Sequence, residues 1–452
     1  MNRAAGFSIC REIPQCIAGA LLFTLCYNGC NIITPQRRPI MSIRQDADRI
    51  MQAALKAAQP DTAVREALDN IRFNPDGRLV LVAIGKAAWQ MAKAAHDALG
   101  KRIDQGIVIT KHGHVQGELS GLTLREAGHP VPDDNSFSAT QEAIGLVQNL
   151  TAKDSVLLLI SGGGSALFEQ PLITPQELQG ITAQLLKSGA DIVEMNTIRK
   201  RLSAVKGGRF AQMCAPASVY AVVLSDIIGD PLDMIASGPA WPDNSTSADA
   251  LRIANKYQLA LSPDAAACLR QETPKALDNV HSQVTGSVKV LCRAAADAAR
   301  ALGYKPCILT ASLACQAREA GSFLAAIAQY HQDSEKSLCF IAGGETVVTL
   351  TGTGKGGRNQ ELALAAAQGI AGLHETAVFS LGSDGTDGPT DAAGGYCDQD
   401  TAGRLAAQGI DIHHVLQDND AYHALGKVDG LIMTGPTGTN VNDVSVVLIR
   451  RK

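Results

Sequence analysis

From residue 42 onward, apolar and polar positions follow two alternating regimes. Short, almost unbroken apolar runs occupy 78–84, 106–110, 155–160 and 219–224. Between them, apolar residues recur every three or four positions. The first regime is that of strands buried on both faces and the second that of helices with one apolar stripe. Residues 46–58 read as a helix with Ile50, Ala53, Ala54, Ala57 and Ala58 on one face. Residues 87–99 read as another. A third, 175–189, opens with Thr174 as N-cap, Pro175 at the first helical position and Glu177 at the third. Strands alternating with helices, and without polar alternation, predict an α/β fold with a doubly wound parallel sheet. A polar stretch over 239–283 interrupts the pattern. Strands are expected again at 288–291, 305–310, 338–342, 346–350, 377–381, 430–433 and 445–449. The domain boundary is placed near 285, separating 41–284 from a second α/β domain with a mixed sheet, 285–452.

Composition narrows the class. Hydrophobic residues make up 46% of the 452 and charged residues 19%, which suits two packed domains. The net charge of −4 and the lack of a basic run interleaved with aromatics exclude nucleic acid as the expected partner. No apolar stretch reaches about 18 residues, so no membrane span is expected. The first forty residues differ. They hold Cys10, Cys16, Cys26 and Cys30 of the eleven cysteines, and an apolar stretch at 17–26 sized like a signal-peptide core, without a small-x-small cleavage site after it. Met41 opens the regular pattern, so 1–40 reads as an upstream extension, with a signal or anchor segment and a functional appendix as alternatives. The other seven cysteines are scattered, which points to a reduced, cytoplasmic setting.

Chemistry concentrates where strands end. Five strand-adjacent loops are small, polar or charged: Gly85-Lys86, Ser161-Gly162-Gly163-Gly164-Ser165, 225–231, 382–387 and 434–440. In a doubly wound sheet, ligands bind outside the carboxyl ends of the strands. Glycine there lets successive N–H groups converge on an anion. One such loop would be an ordinary turn; five on one expected edge read as an anion site. Lys86 lies outside any G-x-x-x-x-G-K-[ST] motif, so it acts as a point charge or is a solvated surface lysine. Arg199, Lys200, Arg201, Lys206 and Arg209 cluster either to take a carboxylate or phosphate, or as a helix face balancing Asp191 and Glu194. Asp384, Asp387 and Asp391 converge either on a hard cation or as turn and cap residues. The stretch 352–357 fits G-x-G-x-x-G, with Glu375 eighteen residues after it. A dinucleotide reading fails if 346–350 is the second arm of a hairpin with 338–342, because no crossover then exists. Arg358, just after the glycines, suits a phosphate clamp. His129 is a weak candidate base, Ser165 lies in no G-x-S-x-G elbow, and His413 and His414 lack metal-ligand spacing.

Several long stretches together resemble the glycerate 2-kinase family that carries a C-terminal MOFRL domain. They are GHPVPD (128–133), SGGGSAL (161–167), MNTIRKRLSAVKGGRFA (195–211), LSDIIGDPLDMIASGPAWPD (224–243), AGGETVVTLTGTGKGGRNQELAL (342–364), GSDGTDGPTDAAGG (382–395) and TGPTGTNVNDV (434–444). The likeness runs from about residue 43 to 450. It implies a Rossmann-like N-terminal domain, a MOFRL-type C-terminal domain and an active site in the cleft between them. It implies ATP-dependent phosphorylation of the 2-hydroxyl of D-glycerate with Mg²⁺. Lys86, Arg358 and Asp384 carry over as catalytic residues. Where the family more usually reads GTDG, this chain has Gly382-Ser383-Asp384-Gly385, which keeps the aspartate. On this reading Ser161, Gly162, Gly163, Gly164, Ser165, Gly354 and Gly357 bind nucleotide or phosphate. Arg199 or Lys206 takes the substrate carboxylate, and Asp387 and Asp226 are candidate metal ligands. A homodimer is compatible with the resemblance. Two alternatives stay open: an NAD(P)H-dependent hydroxypyruvate reductase, the label some family members bear, and a non-catalytic sugar-acid or nucleotide sensor.

Overall fold

Two six-stranded sheets organise the protein, seen in a computed structural model that describes residues 42–451. Cys10, Cys16, Cys26, Cys30 and the apolar stretch at 17–26 lie outside the described residues. The first sheet comprises β1 (Leu79–Ile84), β2 (Gln105–Lys111), β3 (Leu122–Ala127), β4 (Ser155–Ile160), β5 (Ser218–Leu224) and β6 (Val280–Gly286). All neighbours are parallel, in the order β3-β2-β1-β4-β5-β6. That order reverses between β1 and β4, the position at which a doubly wound sheet opens a crevice for ligands. Every residue of β1 and β4 is buried, because alternate side chains enter two separate cores. Val80, Val82, Val156 and Leu158 face the helix Asp134–Val147 and Phe168. Leu79, Leu81, Leu157 and Leu159 face the helices Pro60–Asp69 and Ala88–Leu99.

The second sheet is mixed: β7 (Lys305–Leu313), β8 (Leu338–Gly344), β9 (Thr376–Gly382), β10 (Gly394–Asp398), β11 (Leu431–Ile432) and β12 (Asp443–Ile449), ordered β11-β10-β9-β12-β8-β7. β12 runs antiparallel between β8 and β9, so the start of β12 and the ends of β8 and β9 share one edge. The loops 345–357, 383–393 and 433–442 leave or enter that edge. Helix Ile43–Ala57 precedes the first sheet in sequence yet packs on the second, with Ile50, Ala54 and Leu55 in one core with Leu291, Ala295, Phe379 and Val446.

Two expected strands are corrected. Residues 288–291 begin the helix Val288–Ala301, whose buried Val288, Leu291, Cys292, Ala295, Ala296 and Ala299 keep helical spacing. The strand lies just before it as β6, an edge strand with too many polar positions to register as a buried run. Residues 346–350 form no strand; Val347 makes a single isolated bridge to Gln316. The hairpin with β8 does not exist, because β7 and β12 already occupy both sides of β8. β3 and β10 were not anticipated. Among the described residues no helix is long and apolar enough to cross a membrane.

Candidate active site

The carboxyl ends of β1, β4 and β5 meet the loops of the second sheet around a pocket of about 360 Å³. Lys86, Gly162, Asp226, Asp384 and Asn440 line it, so all five loops reach one place. Lys86 is fixed through its backbone. Its N–H donates to Gly162 O at 2.9 Å, and its carbonyl accepts from Thr110 Oγ1 at 3.2 Å and pairs with His114 Nδ1 at 3.1 Å. The Ser161 hydroxyl ties β4 to the same turn, accepting from Ala87 N at 3.0 Å and donating to Ile84 O at 3.3 Å. No described carboxylate lies within ion-pair distance of the Lys86 ammonium. An unpaired lysine in a pocket is a cation waiting for an anion.

Opposite it, Asp226 packs against the glycine loop: a Cβ on Gly162 would sit 2.2 Å from Asp226 Oδ2. Burial pushes the Asp226 carboxyl above the usual carboxylate range, against the pull of Lys86. No described side chain donates to the Asp226 carboxylate, and none of the described residues accepts from the amides of Gly162, Gly163 or Gly164. Gly163 has φ +85°, and a Cβ there would touch His129 at 3.0 Å and Lys86 at 3.2 Å. Gly164 has a packing reason as well, since Ala236 Cβ occupies the space at 2.7 Å. Burial, then Lys86, holds His129 below its ordinary range, so it is a neutral neighbour of this loop. Ser165 does not point a free hydroxyl at the pocket; its Oγ bonds Ser237 Oγ at 3.0 Å. Asp384 sits in an Asx turn, accepting from Thr386 N at 3.0 Å, while its carbonyl takes Thr437 N at 3.2 Å.

Asp226 and Asp384 line the same pocket and are its hard oxygen donors; among the described residues no group of three potential metal ligands forms. A Mg²⁺ ion, which keeps waters and takes one or two carboxylates together with substrate phosphates, could be held by either. Asp387 is corrected as a metal ligand. It is 2% exposed and caps the helix Arg358–Gly369, accepting from Asn359 N at 3.1 Å and Gln360 N at 2.9 Å. Burial lifts its carboxyl from 3.8 to about 6 in spite of those donors. The native state therefore holds this proton more tightly than the unfolded chain, and stability from this group is lost as pH rises from about 4 to 6. Asp387→Asn should remove that slope. Thermal unfolding at pH 4.5, 5.5 and 7 should show the variant gaining on wild type as pH rises, by on the order of 2 kcal/mol. A difference constant with pH would contradict the assignment.

The basic cluster divides. Lys206 is corrected as a carboxylate receptor: it is 0% exposed, donates to Phe168 O at 2.9 Å and lies 2.9 Å from the equally buried Glu169. Lys200 and Arg201 pair with buried Asp243, and Arg209 donates to three backbone carbonyls. Arg199 is the exception. Its guanidinium donates to Ser165 O at 3.3 Å, and no described carboxylate pairs with it.

The Gly354 amide is already engaged, although Gly354 and Gly357 both line a cavity beside Arg358. The amides of 351–355 are spent on the turn 418–420: Thr351 and Gly352 on Asn419 Oδ1, Thr353 on Asp418 Oδ1, Gly354 on Asp418 O, Lys355 on Asp420 Oδ1. Cβ atoms on Gly352, Gly354 and Gly357 would lie 2.3 to 2.4 Å from Asp418, Asp420 and Asp387. The G-x-G-x-x-G spacing thus serves packing, and neither a dinucleotide nor a phosphate cradle forms from these amides. Arg358 follows, held bidentate by Asp443 (Nε to Oδ2 2.5 Å, Nη2 to Oδ1 2.9 Å) and flanked by Glu345 at 3.4 Å. Asp443 and Glu345 were not anticipated. Asp384 Oδ1 and Asp443 Oδ1 lie 3.3 and 3.4 Å from the same point, the Cβ position of Gly382. Arg358 is therefore one carboxylate away from Asp384.

Comparison with known proteins identifies the family. The model described as "Domain of unknown function (DUF4147)" matches residues 46–270, and that of the MOFRL family matches 338–443. A Thermotoga maritima protein named D-glycerate 2-kinase is 50% identical over 414 residues, spanning 90% of this chain and 99% of its own. A Pyrococcus horikoshii protein named glycerate 2-kinase is 40% identical, spanning 91% and 98%. The crystal structure of glycerate kinase from T. maritima superposes with a TM-score of 0.86 at 49% identity, covering 90% of this chain and 99% of that one. A structure from P. horikoshii OT3 superposes at 0.87 with 40% identity, covering 91% and 99%.

Proposed function

Because the chain belongs to the glycerate kinase family, we propose that it transfers the γ-phosphoryl group of ATP to the 2-hydroxyl of D-glycerate. One observation carries the reading in this chain: Lys86 at the switch point of the first sheet, without a carboxylate partner among the described residues, lines one pocket with Asp384 beside the unspent amides of Gly162–Gly164. The substrate oxygen attacks the γ-phosphorus as the bond to the β-phosphate bridging oxygen breaks, and ADP leaves. Asp384 orients the 2-hydroxyl and accepts its proton. Lys86 and Arg358 stabilise the phosphoryl group in flight, an electrostatic contribution that depends on their fixed positions. Asp443 supplies that fixity for Arg358. Asp226 with the phosphate oxygens would hold Mg²⁺, which when bound neutralises charge on the polyphosphate. Arg199, the unpaired arginine beside the glycine loop, takes the glycerate carboxylate. The gap between the two family matches supports a domain boundary near residue 285. The seven described cysteines are unpaired, in keeping with a cytoplasmic enzyme.

The reductase alternative needs a dinucleotide cradle, and the amides that would form one are already bonded to 418–420. Purified protein should release ADP from ATP only when D-glycerate and Mg²⁺ are both present. It should leave NADH untouched with hydroxypyruvate. NADH consumption without glycerate-dependent ADP release would replace the kinase reading with the reductase.

A further inference from the structure

A second and larger cavity, about 700 Å³, opens beside Arg358, the partner of Asp443. Ile228, Val347, Val348, Leu350 and Pro389 give it apolar walls, and Arg358 with Glu345 stands at its inner end. It adjoins the first pocket directly. Asn442 Nδ2 donates to Asp226 O at 3.1 Å and to Glu345 Oε2 at 3.4 Å, so Asp226 in one pocket and Glu345 in the other share a residue. We propose that this cavity is the nucleoside subsite, with the polyphosphate passing Arg358 toward Lys86 and the glycine loop.

The inference rests on the phosphotransferase reading and adds a location to it. Space argues first. At about 360 Å³, the pocket around Lys86 is near the lower end for small-molecule sites, roughly 300–1,000 Å³, and is crowded with charge. It suits the reacting phosphoryl group and a three-carbon acid. The second cavity has nearly twice that room and the apolar surface that a purine's faces bury against. Val347 and Leu350 are 53% and 80% exposed, large apolar side chains left open beside a cavity. A three-carbon anion would cover little of that surface and would meet Glu345. Glycine explains the remaining wall. Gly388, at φ +62°, has Gly356 O 2.5 Å from its Cβ position, so two backbones pack without side chains between them. A third depression of about 410 Å³, beyond Gln90, is the competing place for the nucleoside. Its rim is polar and self-paired, with Lys93 on Asp97 at 2.6 Å, and its one indole, Trp89, is 7% exposed with Nε1 bound to Gly117 O.

The test separates the nucleoside from its phosphates. Val347→Asp and Leu350→Asp alter exposed side chains, and the helix content and thermal midpoint of each variant are compared with wild type. Calorimetric binding of a non-hydrolysable ATP analogue should weaken about tenfold in both, whereas binding of inorganic tripolyphosphate stays within twofold. Analogue binding unchanged in folded variants would overturn the proposal. So would equal weakening of analogue and tripolyphosphate, which would place phosphates in the cavity, or a raised KM for D-glycerate with analogue binding intact. Binding is read without turnover, so a wild-type protein that binds the analogue but makes no phosphoglycerate would sink the kinase reading and leave the subsite standing.

Discussion

Lys86→Ala should lower kcat by about 10²- to 10³-fold while the KM for ATP shifts only a few-fold. The lysine has no carboxylate partner among the described residues, so its charge is uncompensated until a substrate anion arrives. Charge develops on the oxygens around the transferred phosphorus, and a fixed cation there acts mainly on the transition state. Folding should be nearly untouched. The side chain is half-buried, and the contacts that hold the turn are made by the backbone of Lys86, which alanine keeps. Steady-state kinetics with both substrates saturating in turn reads the split. Turnover equal to wild type would remove Lys86 from the mechanism.

Lys206→Met should produce the largest loss of stability, about 3–5 kcal/mol, because it leaves Glu169 buried without its counter-ion. Burial pulls the Lys206 ammonium below its ordinary range and Glu169 pulls it back, as expected of a pair held together away from water. Pairing the change with Glu169→Leu removes both charges and should recover most of the loss, since two apolar side chains of similar volume fill the same space. Urea unfolding measures both variants. A substrate-binding lysine would behave differently, raising the KM for D-glycerate at unchanged stability. That outcome would restore Lys206 to the site.

These two lysines also mark how far the sequence could be read. Lys86 was legible because a polar residue ending an all-apolar strand stands out, and the same signal found Asp226 and Asp384. Lys206 carried an equal charge in a glycine-flanked stretch, and nothing local said that Glu169 would be its partner. Arg358 and Asp443 are 85 residues apart and meet only because β12 inserts between β8 and β9. The glycine spacing at 352–357 misled for a related reason. Its cause is the turn 418–420 packed against it, some sixty-five residues away in the chain. Central strands were legible since burial on both faces makes them apolar throughout. Three strands were not: β6 and β3 are partly polar edge strands, and β10, an inner strand between β9 and β11, opens with Gly394-Gly395, where Ser380 O and Leu425 leave no room for a Cβ.

Whether phosphate is transferred, and to which oxygen, is settled by the product itself. Phosphorus and proton NMR of the protein with ATP, Mg²⁺ and D-glycerate should show ADP and 2-phosphoglycerate accumulating in equal amounts. ADP without a phosphoglycerate, or phosphate on the 3-hydroxyl, would contradict the account.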